Sequence, residues 1–221
     1  MRKLGLLTIG QSPRNDITPT FKKILGNSIE IVESGALDDL TEIELKRIEP
    51  SKNEATYISK LKSGESTRIS KKKLLPLLQI KLEELEKQVD LTVMLCTGDF
   101  PSIKSTKPIL YPDNILVHNI KATLKTGKLG LIMPLAEQKE SLLKKWERIS
   151  LPIVTGVASP YEETVDITKP AETLKQQGAT MIVLDCMGYT QQHKKEVLDS
   201  SNLPTLLSKS LTASVVKEYL I

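Results

Sequence analysis

The sequence predicts an α/β protein of two pseudo-symmetric halves with mainly parallel sheets, and three observations carry that prediction. Short apolar runs of β type alternate with helical patterns along the chain, the signature of βαβ units. Lys3-Leu4-Gly5-Leu6-Leu7 returns almost unchanged as Lys128-Leu129-Gly130-Leu131-Ile132. Later in each half, Val93-Met94-Leu95-Cys96-Thr97-Gly98 is matched by Val183-Leu184-Asp185-Cys186-Met187-Gly188. Chance can supply either match alone. Both in the same order argue for an internal duplication, each half opening on the same strand and carrying Cys-x-Gly at the end of a later one.

The strands read as Leu4–Ile9, Ile29–Glu33, Leu91–Leu95, Ile115–Val117, Leu129–Met133, Ile153–Val157, Met181–Leu184 and Thr205–Leu207. They are short, apolar runs of the kind that strands buried on both faces require. Leu74, Leu78, Leu82, Leu85 and Val89 recur at three- and four-residue spacing, which gives one apolar face to a helix of about four turns. Ala136–Ile149, Ala171–Gln177 and Lys209–Leu220 read as further helices, with Gly178 as a C-terminal stop. Thr190 is placed to cap another. One segment departs from the alternation: Ala55–Leu61 and Ser66–Ser70 flank Lys62-Ser63-Gly64-Glu65, a β-hairpin with Gly64 in the turn. It reads as an insertion, about residues 51–72, on the edge of the first half. The halves are then 1–126 together with a C-terminal helix at 208–221, and 127–207.

Hydrophobic residues make up 39% of the 221 and charged residues 26%, a globular rather than a disordered balance. Aromatics are only 4%, so Leu, Ile and Val must build the core. No apolar run approaches the ~20 residues of a membrane span. The apolar stretch in the first ten residues is too short for a secretion signal and reads as a buried strand. A net charge of +4 on a mixed surface makes no nucleic-acid stripe; the one basic run, Lys71-Lys72-Lys73, sits where a helix begins. Two cysteines without a leader point to reduced thiols and a cytoplasmic location. The two histidines and two cysteines lack zinc spacing, and neither a dinucleotide fingerprint nor a P-loop is present, so no metal and no cofactor are expected.

Chemistry therefore rests on Cys96 and Cys186. In open parallel sheets ligands bind beyond the carboxyl ends of the strands, and two related halves would bring both thiols to a shared cleft. A thiol on each side of a carbon can invert a stereocentre: one removes a proton as thiolate while the other delivers one from the opposite face. The ordinary alternative is a pair of inert core cysteines, since cysteine is among the most buried residue types. A disulfide is a third reading, disfavoured by the compartment. The turns at Thr97-Gly98 and Met187-Gly188-Tyr189-Thr190 can aim backbone N–H groups at a substrate anion. Arg14, after the first strand, is a candidate bidentate clamp for a substrate carboxylate, with Gln11 and Ser12 beside it. Ser34 and Ser159 end the second strand of each half and are candidate lining residues. His193, one turn beyond Thr190, is either an exposed helix histidine or a group that tunes Cys186; His118 reads as the end of a strand.

Thr8-Ile9-Gly10-Gln11-Ser12-Pro13-Arg14-Asn15-Asp16, Leu95-Cys96-Thr97-Gly98-Asp99-Phe100, Pro134 with Gln138, and Leu184-Asp185-Cys186-Met187-Gly188-Tyr189-Thr190 together resemble the AroM family. That family is similar to the aspartate/glutamate/hydantoin racemases. The resemblance covers essentially the whole chain. It implies flavodoxin-like halves with an active-site cleft between them, one cysteine in each, and cofactor-independent proton transfer. Thr97-Gly98 follows the first cysteine where amino-acid racemases usually have Asn-Thr, and Met187-Gly188 follows the second where they commonly have Thr and then His or Glu, closer to the Cys-x-Gly of hydantoin racemases. The expected substrate is a small carboxylate or cyclic amide, with no nucleic-acid or membrane partner and a homodimer compatible with the sequence. A single-cysteine isomerase or decarboxylase, and a binding or sensing protein that keeps the cleft without the chemistry, stay open.

Overall fold

In the computed structural model, which describes every residue except Asn53, Glu163 and Thr164, the chain divides into two units, Met1–Pro112 with Ala213–Ile221, and Asp113–Thr212. Unit 1 runs β1 (Arg2–Thr8), α1 (Thr18–Leu25), β2 (Ile29–Gly35), α2 (Glu42–Arg47), β3 (Thr56–Lys60), β4 (Ser66–Ser70), α3 (Lys71–Glu86), β5 (Leu91–Met94) and β6 (Ile109–Leu110). Its main sheet has the order β2-β1-β5-β6, with every pairing parallel. Unit 2 carries α4 (Pro112–Thr123), β7 (Lys128–Met133), α5 (Lys139–Trp146), β8 (Ile153–Val157), α6 (Thr168–Gln176), β9 (Ala179–Leu184), α7 (Gln191–Ser201), β10 (Thr205–Leu207) and the start of α8 (Ser208–Leu220). Its sheet order is β10-β9-β7-β8, again parallel throughout.

Leaving the hairpin aside, both sheets follow one plan: second, first, third, fourth strand. This is the flavodoxin-like winding, whose switch point lies between the first and third strands. The duplication reaches individual hydrogen bonds. Ala36 N–H donates to Thr8 O and Ala158 N–H to Met133 O, both at 3.0 Å; Thr92 N–H donates to Pro108 O at 3.1 Å and Ile182 N–H to Pro204 O at 2.9 Å. The repeated glycine serves packing in both copies. A Cβ at Gly5 would strike Leu85 and Val89, and one at Gly130 would crowd Ala179, Ile182 and Leu174.

The unit 1 core sets Leu7 and Ile9 against Leu74, Leu78, Leu82 and Leu85 of α3, the stripe that the leucine spacing marks out. Ser70 caps this helix by accepting the Lys73 N–H. In unit 2, one buried cluster gathers Trp146, Leu129, Leu131 and Val183 and another gathers Leu174, Ile182, Leu184 and Tyr189. Gly178, at φ 88°, ends α6 in the left-handed region as expected.

One sequence expectation is corrected. Ile115–Val117 lies inside α4, not in a strand, so His118 is helical. Leu116, Val117 and Ile120 are all fully buried at helical spacing against Leu129, Leu131 and Trp146; three consecutive apolar residues cannot by themselves distinguish a buried helix from a strand. The strand beside β5 is supplied instead by Ile109–Leu110. The hairpin forms as expected, as a two-stranded antiparallel sheet of its own.

Candidate active site

The parallel ladder runs one residue past the third strand in each unit. Leu95 N–H donates to Leu7 O at 2.7 Å, and Asp185 N–H to Ile132 O at 2.9 Å. The next residue is the cysteine, released from the ladder at the switch point and partly exposed in both cases. Both are thiols outside any disulfide. Each turn then folds back on its sulfur: Gly98 N–H donates to Cys96 Sγ and Gly188 N–H to Cys186 Sγ, both at 3.4 Å. A backbone donor aimed at sulfur favours the charged form, because thiolate accepts hydrogen bonds far better than thiol.

An aromatic ring covers the glycine in both turns. A Cβ at Gly98 would fall well under 3.0 Å from the ring of Tyr57, on β3 of the hairpin; at Gly188 it would lie 2.6–2.7 Å from Cε1, Cζ and Oη of Tyr161. Tyr57 donates its hydroxyl to Asp99 O at 3.1 Å and stacks on Phe100, with centroids 5.3 Å apart. Tyr161 Oη lies 3.7 Å from Cys186 Sγ. Residue pattern did not single out either tyrosine. The only sequence clue was the glycine in each Cys-x-Gly, which implies a close neighbour without naming it.

The hairpin also closes over the loop after β1. Gln11 N–H donates to Lys60 O at 3.1 Å, and a Cβ at Gly10 would collide with Lys60 O and Ser59 Oγ. Gln11 bridges the two segments, donating from Nε2 to Leu37 O at 3.1 Å and accepting the Lys62 N–H on Oε1 at 2.9 Å. Ser12 donates through its N–H and Oγ to Asp38 at 2.7 and 2.6 Å, and Asp38 also receives the Gly35 N–H at 2.8 Å. Asp38 is thus the carboxylate that organises this loop, a residue the sequence reading passed over.

Arg14 is only 3% exposed. Its Nε and one terminal nitrogen grip Asp16 at 2.8 and 2.7 Å, and the other donates to Thr8 Oγ1 and Ser59 Oγ at 2.8 and 3.0 Å. Its bidentate edge therefore holds a carboxylate of this chain. The remaining candidates divide by burial. Thr97, Ser159 and Gly188 are buried within the turns, and Ser34 is half-buried at the end of β2. Met187 and Tyr189 are core side chains, 2% and 0% exposed, and Tyr189 Oη donates to Ala158 O at 2.6 Å. Burial, with the sulfur of Cys186 and the carboxylate of Asp185 nearby, pushes the Tyr189 hydroxyl pKa far above its ordinary value. Thr190 caps α7 reciprocally with His193: Thr190 Oγ1 accepts the His193 N–H at 3.2 Å, and the Thr190 N–H donates to His193 Nδ1 at 3.1 Å. His193 is half-buried, and burial lowers its pKa.

One residue past β9, Asp185 is buried in a charge pair. Lys145 Nζ reaches its two oxygens at 2.8 and 2.6 Å, and Trp146 Nε1 donates at 2.7 Å. This pins the strand whose next residue is Cys186. Among the described residues no three metal-ligating side chains converge, and no helix is long and apolar enough to cross a membrane.

A family model described as AroM protein matches residues 4–220. Comparison with curated proteins finds no match. Among solved structures the chain is similar to the aspartate racemase of Picrophilus torridus, at a TM-score of 0.61 and 11% identity over 100% of this chain and 94% of that one. It is similar to an arylmalonate decarboxylase, at 0.59 and 13% over 100% and 92%. The glutamate racemase from Aquifex pyrophilus matches at 0.59 and 15%, over 99% and 84%. At these identities the likeness speaks for the fold.

Proposed function

The chain belongs to the AroM family, and from that premise we propose that it is a cofactor-independent racemase or epimerase with Cys96 and Cys186 as paired acid–base thiols. The substrate is a small molecule whose reacting carbon bears a hydrogen next to a carboxylate or amide carbonyl. What supports this reading most directly is the repeated turn: each third strand ends in a partly exposed thiol whose sulfur receives the N–H of the glycine two residues on, at the same 3.4 Å. A fold that keeps one such sulfur per half, at equivalent positions, is suited to chemistry that needs two.

In the proposed reaction one cysteine acts as thiolate and takes the hydrogen as a proton. The C–H bond breaks, an S–H bond forms, and the electron pair moves onto the carbonyl oxygen. The other cysteine, as thiol, gives its proton to the opposite face of the planar intermediate. The two sulfurs end with their protonation states exchanged. A thiol of ordinary pKa ~8.5 must be partly ionised near neutrality, and the glycine N–H groups act in that direction. Thr190 at the start of α7 adds the positive end of a helix to the second turn. Arg14, closed on Asp16, has no part in this scheme.

The similarity to arylmalonate decarboxylase supports a second reading. Carbon dioxide leaves, its bonding pair forms the enolate, and a single cysteine protonates the carbon before regaining its own proton from water. Incubation in deuterated water with amino acids, hydantoins, hydroxy acids and malonates separates the two. The racemase reading expects solvent deuterium at the reacting carbon, and Cys96→Ser and Cys186→Ser each to lower exchange-coupled inversion at least ~100-fold. Loss in only one variant, with carbon dioxide release, supports the decarboxylase. Thermal stabilisation by a ligand with neither exchange nor release leaves a binding protein.

A further inference from the structure

The two Cys-x-Gly turns match in backbone and differ in the hydroxyl that stands over them. Tyr57 directs its hydroxyl proton to the Asp99 carbonyl, whereas Tyr161 Oη lies 3.7 Å from Cys186 Sγ, within hydrogen-bond reach of a sulfur atom. We propose that Tyr161 is the positioning residue of Cys186: its hydroxyl donates to the sulfur and holds it as the resting thiolate. On the two-thiol reading above, Cys186 is then ready to act as the abstracting base.

The direction of the proton follows from ordinary acidities. A phenol titrates near 10 and a thiol near 8.5, so when one proton is shared between them it belongs on oxygen and the charge on sulfur. A hydrogen bond to that charge is roughly twice as strong as one between neutral groups. The structure holds the hydroxyl in place. Tyr161 N–H donates to Ser159 Oγ at 3.4 Å, the loop is tied to β7 through Ala158, and Tyr189, three residues after Cys186, donates its own hydroxyl to Ala158 O. The ring rests on Gly188 so closely that no Cβ fits between them. The loop after β8 and the turn after β9 are therefore tied together, with the phenol oxygen and the sulfur at the join.

The test uses the full-length Cys96→Ser protein, in which Cys186 is the remaining thiol. Its ionisation is read from the pH dependence of iodoacetamide alkylation and from thiolate ultraviolet absorbance. Tyr161→Phe keeps the ring and removes the donor. The midpoint should rise by about one pH unit, leaving about tenfold less thiolate below it, while Tyr57→Phe in the same background leaves the midpoint in place. A ring-fluorinated tyrosine at 161, a stronger donor, should move it down and covers the case of a phenylalanine variant that fails to fold. An unmoved midpoint in both Tyr161 variants, or an equal rise with Tyr57→Phe, overturns the proposal. Alkylation needs no substrate. A shifted midpoint without solvent exchange sinks the racemase reading alone; exchange with an unmoved midpoint sinks this one alone.

Discussion

A methyl group added at Gly188 would approach the Tyr161 ring to 2.6 Å, and one at Gly98 would collide with Tyr57; non-bonded carbons settle at about 3.5–4.0 Å. Gly188→Ala and Gly98→Ala are therefore each expected to cost about 1–3 kcal/mol, read by thermal melting. Each should also change the alkylation rate of the cysteine two residues before it; an alanine variant with unchanged melting and thiol reactivity refutes the account of these turns. The cysteines and their glycines were legible because they repeat in sequence. Tyr57, Tyr161 and Asp38 were not, because what matters about them is which turn they pack on, and that is set by tertiary contacts. Arg14 is gripped by a partner that the sequence also displays. Its carboxylate partner, Asp16, stands two residues away in plain view, and burial of the guanidinium makes that partner obligatory.

Helix α7 shows how an element can carry a pH dependence. Burial holds the His193 pKa below its ordinary value of about 6.5, and Nδ1 accepts the Thr190 N–H, which only an unprotonated nitrogen can do. As pH falls through the ordinary value the unfolded chain takes up the proton first, so stability declines from there downward until the folded histidine also titrates. His193→Gln, which preserves the reciprocal cap, should lose less stability than the wild type between about pH 7 and pH 5 in thermal melts; parallel curves would count against this role for the histidine. At this scale the leucine stripe of α3, the Gly178 stop and the Thr190 cap were readable, since each depends on local periodicity or backbone geometry. Helix α4 was not: Ile115-Leu116-Val117 suits a buried strand equally well, and only its packing against Trp146 decides between them.

The two-half design was the most legible feature, because duplication writes it twice, and the common winding of the two sheets bears it out. What duplication does not preserve is the set of supports behind each sulfur. In unit 2 the strand leading to Cys186 is anchored by Asp185 against Lys145 and the protein's single tryptophan, whereas Leu95 holds the equivalent position in unit 1. Removing the cation beside a buried carboxylate costs about 3–5 kcal/mol, so Lys145→Met should lower the denaturation midpoint read by Trp146 emission, and adding Asp185→Asn should restore most of it. A single variant as stable as the parent would show that the pair is dispensable. The hairpin differs from all of this in kind. It enters between the second and third strands of one unit, both of which stay paired in parallel with the first, yet its strands reach Gly10, Arg14 and Gly98. Changes in the length or sequence of that hairpin would therefore reshape the surroundings of one sulfur while the paired strands beneath stay as they are.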